Sequence, residues 1–312
     1  MERYKAQTKF LQYQLWQECN NGCPFCSERN QFKIDKAWAL KFTLDKLDLE
    51  ETKDYEEVGI IGGEIFDNQL EDDEVKELFY QVTDKIASMH FSKFYVATNL
   101  IYDMDKYLIP YLYHLRDLGI MDKVLLCTSY DIKYRFHTEK TRQLWESNML
   151  RLLDEFPDLK THVETIMTQH FIDAVLNKEF SITEFCNKFK TRIDYIEPSS
   201  GMFFNTKQDC EKACPGFFPK KASFIKFLKY TGLETKEVDL RCLISYQIRA
   251  NRIYHLDCGK YVCYEDRRQP GFRVKCSDES KKYELGFIDS DDSMEDICNE
   301  FCEMIDEGIL NV

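Results

Sequence analysis

Short apolar runs alternate with longer amphipathic segments between residues 9 and 197 of the chain. The runs that predict strands are Lys9–Gln17, Glu57–Ile61, Phe94–Thr98, Lys123–Ser129, Thr161–Thr168 and Ile193–Glu197. The segments with helical spacing are Asp35–Leu49, Leu70–Met89, Met104–Leu118, Lys140–Phe156 and the stretch after the fifth strand up to Lys190. Strands separated by helices need crossover connections and therefore predict a parallel sheet. We expect an α/β fold with this sheet curved as a partial or complete barrel.

The rhythm changes after Pro198, where loop-like stretches at 199–201 and 205–216 precede a short predicted helix, Pro219–Leu228. Further on, the pattern predicts a hairpin, Arg252–Leu256 with Lys260–Tyr264, and an acidic terminal helix from Ser293 to Glu307. We therefore expect a barrel over residues 1–200 and a smaller, cysteine-rich domain over residues 201–312.

Composition and charge restrict the function classes. With 312 residues and 44% hydrophobic residues, the chain is long enough for about two domains with sizeable cores. Its net charge of −13 repels phosphate backbones, so duplex nucleic acid is not an expected partner. No stretch approaches the ~18 apolar residues of a membrane span, and the first residues lack the apolar core of a signal peptide. We expect a cytoplasmic protein with no membrane partner.

The 13 cysteines are unevenly distributed. In a reducing compartment, thiols bind metals or perform chemistry more often than they form disulfides. Cys127 and Cys186 stand alone in a predicted strand and a predicted helix and are most simply core residues. The other cysteines fall into an early group, Cys19, Cys23 and Cys26, and a late group of Cys210, Cys214, Cys242, Cys258, Cys263, Cys276, Cys298 and Cys302.

The early group has the spacing C-x-x-x-C-x-x-C, with Phe25 just before the last cysteine. Three thiolates in eight residues can hold one face of a compact cluster while leaving one metal position without a protein ligand. Iron–sulfur clusters normally take four cysteines, so the open position would serve something that reacts. A zinc site would need a fourth ligand nearby, and no histidine follows at finger spacing.

This motif resembles that of the radical SAM enzymes, in which it occupies the loop after the first strand of a partial (β/α)6, TIM-like barrel. The resemblance implies a 4Fe-4S cluster on Cys19, Cys23 and Cys26, with S-adenosylmethionine (SAM) chelating the fourth iron and the Phe25 position contacting the adenine. A Gly-Gly-Glu element usually ends the second strand and meets the methionine amino group, and Gly62-Gly63-Glu64 stands at that place here. Glycines allow close backbone approach, and a carboxylate suits an ammonium group.

Other strand ends carry polar residues that the resemblance implies could contact SAM. Asn99 follows the third strand, and Ser129, at the end of the fourth, is our preferred contact to the ribose or the methionine carboxylate. Arg135 resembles an arginine that meets the SAM carboxylate in some relatives, with an ordinary surface arginine as the alternative. Glu164, on the fifth strand, is either a ribose contact or part of a structural polar pair, since an acid inside a barrel needs a partner.

The late cysteines partly resemble the SPASM or twitch extensions of radical SAM enzymes, which hold auxiliary iron–sulfur clusters. The stretch from Cys242 through Gly259 to Cys263 is similar to their cysteine, glycine-bearing hairpin and cysteine, but no C-x-x-C follows. We expect one auxiliary 4Fe-4S cluster with Cys242, Cys263 and Cys276 as ligands and a fourth ligand unassigned. Zinc binding or plain packing of these cysteines remains the alternative.

The resemblance implies that the chain takes one electron from a donor such as flavodoxin or ferredoxin and cleaves SAM to methionine and a 5′-deoxyadenosyl radical. This radical then abstracts hydrogen from a substrate. We expect a peptide or protein substrate rather than a small molecule or nucleoside. The first strand begins within about ten residues of Met1, so a separate partner would recognise a peptide. The rival hypothesis is a non-catalytic, zinc-binding interaction module.

Overall fold

The computed structural model describes residues 10–26, 33–50, 54–200, 204, 206–243, 263–266, 270–273 and 284–310. Its main sheet has six strands in sequence order, and every neighbouring pair is parallel. The strands are β1 (Phe10–Gln14), β2 (Asp54–Ile61), β3 (His90–Ala97), β4 (Val124–Ser129), β5 (Lys160–Ile166) and β6 (Arg192–Ile196). This sheet confirms the predicted α/β fold and its parallel strands.

Helices connect the strands as the crossover argument requires. Those between strands are α1 (Lys36–Glu50), α2 (Asp73–Ala87), α3 (Leu108–Asp117), α4 (Glu139–Glu155), α5 (Gln169–Leu176) and α6 (Ile182–Phe189). After β6 come α7 (Lys207–Ala213), α8 (Lys221–Leu228), a π-helical turn (Lys229–Glu234), α9 (Leu240–Leu243) and α10 (Met294–Asp306). No helix of these described segments is long and apolar enough to cross a membrane.

Capping side chains explain where several helices begin. Asp72 accepts hydrogen bonds from the backbone N–H groups of Glu74 and Val75, so α2 begins at Asp73 rather than at the predicted Leu70. Thr138 and Ser293 form capping boxes at α4 and α10. The terminal helix therefore begins next to its predicted first residue.

Three sequence-based predictions about local structure need correction. The helical stretch expected up to Lys190 is divided into α5 and α6, because Lys178 has a left-handed backbone with φ of 61°. The stretch 205–216, predicted as loop, contains α7, whose first turn is capped by Thr206. The structure pairs β7 (Cys263–Asp266) with β8 (Pro270–Arg273), a strand that the sequence pattern did not predict, whereas the predicted partner Arg252–Leu256 lies outside the described residues.

Two apolar cores hold the helices in place. The first lies between the sheet and α1 to α4, and the second joins α5, α6 and β6 to α8, α9 and α10. The second core includes Phe171 from the barrel region and Phe301 from α10, on opposite sides of residue 200. One core thus contains residues from both sides of residue 200, and the domain boundary proposed there stays a prediction.

The opposite face of the sheet is concave and carries polar side chains. Burial raises the pKa of Glu57 on β2, while Lys93 on β3 and Arg192 on β6 oppose that shift. On this face the Tyr95 hydroxyl of β3 reaches over β4 to Glu164 of β5 at 3.0 Å, as side chains on the inner face of a curved sheet do in a partial barrel. The carboxyl ends of all six strands consequently gather at one edge, where ligands bind in folds of this kind.

Candidate functional site

The chain leaving β1 runs alongside the chain leaving β2 until it reaches the cysteine loop. Gly63 N–H donates to the Trp16 carbonyl at 2.8 Å, and Glu64 N–H donates to the Glu18 carbonyl at 2.9 Å. A Cβ on Gly63 would lie 2.2 Å from the Glu18 carbonyl oxygen, a distance that real Cβ atoms do not reach. Gly63 is therefore required by the close passage of the segment that leads to Cys19.

Glu64 ties this passage to the end of β3. Its buried carboxylate accepts hydrogen bonds from the backbone N–H groups of Ile65 and Phe66, each at 3.0 Å, and from the Thr98 hydroxyl at 2.9 Å. Its second oxygen accepts from the N–H of Asn99 at 2.5 Å. Burial raises the pKa of Glu64 to about 7, although these hydrogen bonds favour the ionised form. Glu64 thus fixes the relative positions of two strand ends.

The cysteine loop turns back on itself directly after Cys19. Gly22 has a left-handed backbone with φ of 57°, and Cys26 N–H donates to the Cys23 carbonyl at 3.1 Å. The Asn21 amide donates to Cys23 Sγ at 3.2 Å and to the Arg135 carbonyl at 3.1 Å. These contacts hold the loop against the segment that follows β4.

Asn99 connects the same loop to the end of β3. Its amide donates to the Asn20 side-chain oxygen at 2.7 Å and lies 3.5 Å from Cys19 Sγ. Burial, followed by the charge of Glu64, raises the pKa of the Cys19 thiol to about 11. The free thiol is consequently protonated near neutral pH, and binding a metal would release its proton.

Arg135 brings a positive charge to the three cysteines. Burial alone would lower the pKa of its guanidinium, but Cys23, Asp131, Cys26 and Cys19 together raise it. The Asp131 carboxylate accepts from the N–H groups of Lys133, Tyr134 and Arg135, and so holds the turn that presents this side chain. The buried Nε of Arg135 has no hydrogen-bond partner among the described residues. An anionic group bound between Arg135 and the cysteines would accept a hydrogen bond from this Nε and balance the positive charge.

Aromatic rings close the other side of the loop. The Phe25 ring stacks on Phe217 with centroids 5.3 Å apart and meets Tyr134 edge-on at 6.5 Å. Cys210 lies in α7 and Cys214 directly after it, and both are buried in the same cluster. Phe25 is therefore 8% exposed and lines an apolar wall.

Ser129 and Glu164 are neighbours in register at the ends of β4 and β5. Glu164 Oε1 accepts a hydrogen bond from the Tyr95 hydroxyl at 3.0 Å, which is the polar pair that a buried acid needs. The SAM contacts predicted for both residues stay predictions.

The late cysteines are only partly described. Cys298 and Cys302 are buried in the second core, on one face of α10. Cys276 and the side chains of Cys242 and Cys263 lie outside the described part of the structure, so their roles as cluster ligands stay predictions.

Comparisons with known proteins found matches only among solved structures. No protein-family model and no curated protein matches the chain. Among solved structures it is similar to anSMEcpe, a radical SAM enzyme of the SPASM type. Native anSMEcpe with bound AdoMet and Cp18Cys peptide is 15% identical, with 72% of this chain and 58% of that chain covered and a TM-score of 0.47.

Two further structures of anSMEcpe are similar to the chain. Native anSMEcpe with bound AdoMet and Kp18Cys peptide is 14% identical, with 79% of this chain and 63% of that chain covered and a TM-score of 0.48. The hexahistidine-tagged protein with bound AdoMet is 16% identical, with 60% of this chain and 50% of that chain covered and a TM-score of 0.42. The chain thus spans between half and about three fifths of the length of these proteins.

The structure brings most of the sequence-predicted site residues to one place. Cys19, Cys23 and Cys26 are adjoined by Phe25, Asn99 and Arg135, and the Gly62–Glu64 segment borders the approach to the loop.

Sequence analysis missed Asn20, Asn21 and Asp131, which hold this constellation together. A signal for the first two was available, because a pair of amide side chains inside a cysteine loop can donate to the sulfur atoms.

Proposed function

We propose that the chain is a radical SAM enzyme that binds a 4Fe-4S cluster through Cys19, Cys23 and Cys26. The observation that carries the proposal is the environment of the three sulfur atoms. Amide groups of Asn21 and Asn99 lie 3.2 Å and 3.5 Å from two of them, and the charge of Arg135 is close to all three. A cluster with three thiolate ligands is an anion that such donors suit, and SAM would occupy the fourth iron.

The bound cluster and SAM would supply a reducing electron and a 5′-deoxyadenosyl radical. The chain's own residues position these groups and exclude water from the radical. Arg135 suits the SAM carboxylate, Phe25 offers an apolar wall to the adenine, and Ser129 and Asn99 offer hydrogen bonds at neighbouring strand ends. The proposed SAM contact of the Gly62–Glu64 segment belongs to the same proposal. The hydrogen bonds of the Glu64 carboxylate come from the chain itself, so Gly63 and Glu64 also shape the site by fixing the two strand ends.

The direct test is the cleavage of SAM by the wild-type protein. After anaerobic reconstitution with iron and sulfide, and with a strong reductant, the full chain is expected to release 5′-deoxyadenosine, measured by chromatography. A brown protein that retains iron is expected beforehand. Colourless protein with zinc on the cysteine loop and no 5′-deoxyadenosine would contradict the proposal and favour an interaction module.

The role of Arg135 can be tested by SAM affinity. Arg135→Gln is expected to weaken SAM binding about 10- to 150-fold, because a hydrogen bond to a charged group contributes about 1.5–3 kcal/mol. Calorimetric titration of the reconstituted protein gives the dissociation constant. Arg151→Gln, which changes an exposed arginine paired with Asp105, is the matched control and should bind SAM like wild type. Equal affinity in both variants would remove Arg135 from the SAM site.

An auxiliary 4Fe-4S cluster in the C-terminal region, on Cys242, Cys263 and Cys276, belongs to the same proposal. The wild-type protein is then expected to hold about eight irons, and the variant lacking Cys19, Cys23 and Cys26 about four, since each cluster is bound by its own thiolates. Iron analysis of both proteins measures this difference. Near-zero iron in a folded triple variant would leave the late cysteines as zinc ligands or structural thiols.

The proposed substrate is a peptide or protein, with a flavodoxin- or ferredoxin-like protein as the electron donor. A strand-end site at the mouth of a curved sheet can admit an extended chain or a compact metabolite alike. Hydrogen abstraction from a candidate peptide is tested by deuterium transfer into 5′-deoxyadenosine.

A further inference from the structure

The concave face of the sheet contains a second cluster of metal-binding side chains, separate from the cysteine loop. Cys127 on β4 is the register partner of His162 on β5, and Glu164 follows two residues later on the same face of β5. One ligand atom from each of these side chains lies within 4.8 Å of the other two. Cys127 is buried, as predicted for a core residue, and the structure in addition places its thiol beside the polar groups of Tyr95 and Glu164.

His162 is buried without the hydrogen bonds that such a position normally demands. Its side chain is 2% exposed, and neither ring nitrogen makes a hydrogen bond within the described part of the chain. Buried polar groups are nearly always satisfied, and leaving one unsatisfied is costly. Burial lowers the pKa of His162 to about 3, with Arg192 and Lys93 acting in the same direction. A neutral imidazole with a free nitrogen is the form that binds metals.

Two neighbours complete the surroundings of a metal site. Asp194 Oδ2 lies 3.0 Å from His162 Nδ1, so a small rotation of the ring would let Nδ1–H donate to this carboxylate and leave Nε2 for a metal. A carboxylate behind a histidine ligand is a common arrangement in zinc proteins. Tyr95 donates its hydroxyl to Glu164 Oε1 at 3.0 Å and fixes the orientation of that carboxylate.

We propose that Cys127, His162 and Glu164 bind one divalent zinc ion inside the barrel. One sulfur, one nitrogen and one carboxylate oxygen are all ligands that Zn²⁺ accepts, and a set of three leaves a fourth position for water or a substrate group. Binding would proceed with loss of the Cys127 thiol proton to solvent, as metal–thiolate bonds require. This zinc site is independent of the cluster proposed for the cysteine loop.

The test measures zinc retained by the full chain after its clusters have been loaded with iron and sulfide, so that the cluster cysteines are occupied. Zn²⁺ is added, excess is removed by gel filtration, and zinc and iron are counted by mass spectrometry. Wild type is expected to retain about one zinc per chain. Cys127→Ser and His162→Gln are expected to retain at least tenfold less zinc than wild type, with unchanged iron content. The control is Cys186→Ser, which changes a half-buried cysteine of α6 and should retain as much zinc as wild type.

A second pair of measurements keeps the test decisive if a barrel variant fails to fold. Asp194→Asn, which changes no ligand, is expected to weaken zinc binding about 10- to 100-fold. In wild type, zinc should protect Cys127 from alkylation in a peptide-mapping experiment while Cys186 reacts equally with and without zinc. No retained zinc in wild type, or equal zinc in wild type and folded Cys127→Ser, would overturn the proposal.

The same count on the variant lacking Cys19, Cys23 and Cys26 separates this inference from the proposed function. Zinc that persists in this variant and disappears in Cys127→Ser belongs to the barrel site. Zinc that disappears with the three loop cysteines belongs to the loop, which would contradict both the barrel zinc site and the radical SAM function.

Discussion

Replacing Cys19, Cys23 or Cys26 with alanine is expected to reduce the release of 5′-deoxyadenosine to the level of a protein-free control. Each thiolate would supply one of three protein bonds to the cluster, and the fourth iron binds SAM only if the cluster is assembled. The measurement is anaerobic incubation of reconstituted protein with SAM and reductant, followed by chromatography. Iron content should fall by about four per chain at the same time.

The matched control for this experiment is Cys298→Ala, which removes a buried thiol from α10 in the second core. Such a cavity-forming change is expected to lower stability slightly and to leave the iron content of the first cluster unchanged. If a variant of the loop cysteines still releases 5′-deoxyadenosine at the wild-type rate, the cluster lies elsewhere and the proposed function is wrong.

The fold was accessible from the sequence because the information that specifies it is local. Alternating apolar runs such as Lys123–Ser129 match β4 within one residue, and the terminal helix needs only its capping serine and its apolar face to be located. The cysteine motif is equally local, since all three cysteines lie on one turn of chain. Local patterns were therefore enough to predict the parallel sheet, and they place the three cysteines proposed as cluster ligands on one loop.

The parts that sequence analysis missed depend on contacts between distant residues. Asn21 reaches the Arg135 carbonyl, 114 residues away, and nothing near either residue indicates that contact. The proposed zinc ligands in the barrel also depend on a contact between distant residues, because Cys127 and His162 meet only through the register of β4 and β5. His162 and Glu164 lie two residues apart and so share one face of a strand, which the sequence could have shown. That this face also meets Cys127 depends on the pairing of β5 with β4.

The passage of the chain over Gly63 links the fold to the candidate chemistry. This glycine lies where β2 ends, and its N–H bonds to the segment that carries Cys19 into the site. The Gly-Gly-Glu element thus acts on the cysteine loop through backbone packing as well as through any contact with SAM. The position of Cys19 depends on how closely the segments that follow β1 and β2 approach each other beyond the last paired residues of these strands.

Gly63→Ala is accordingly expected to disrupt the site more than any other small substitution in this element. The added Cβ would lie 2.2 Å from the Glu18 carbonyl oxygen and 2.3 Å from that of Gln17, and both obstacles are backbone atoms. Overpacking of this kind costs typically 1–3 kcal/mol, and a backbone clash places the expected loss near the upper end, at about 3 kcal/mol. We expect a lower melting temperature and loss of the first cluster, measured by calorimetry and iron analysis.

Gly62→Ala is the matched comparison, because its Cβ would meet the movable Ile65 side chain at 3.2 Å and the Trp16 carbonyl at 3.3 Å, so a shift of a few tenths of an ångström relieves it. The neighbouring glycine should therefore tolerate alanine with iron content close to wild type. The close passage over Gly63 requires Gly63→Ala to be less stable and to retain less iron than Gly62→Ala. Equal stability and equal iron in Gly63→Ala and wild type would mean that the segment before Cys19 can move away without cost, and that the glycine acts on the site by another route.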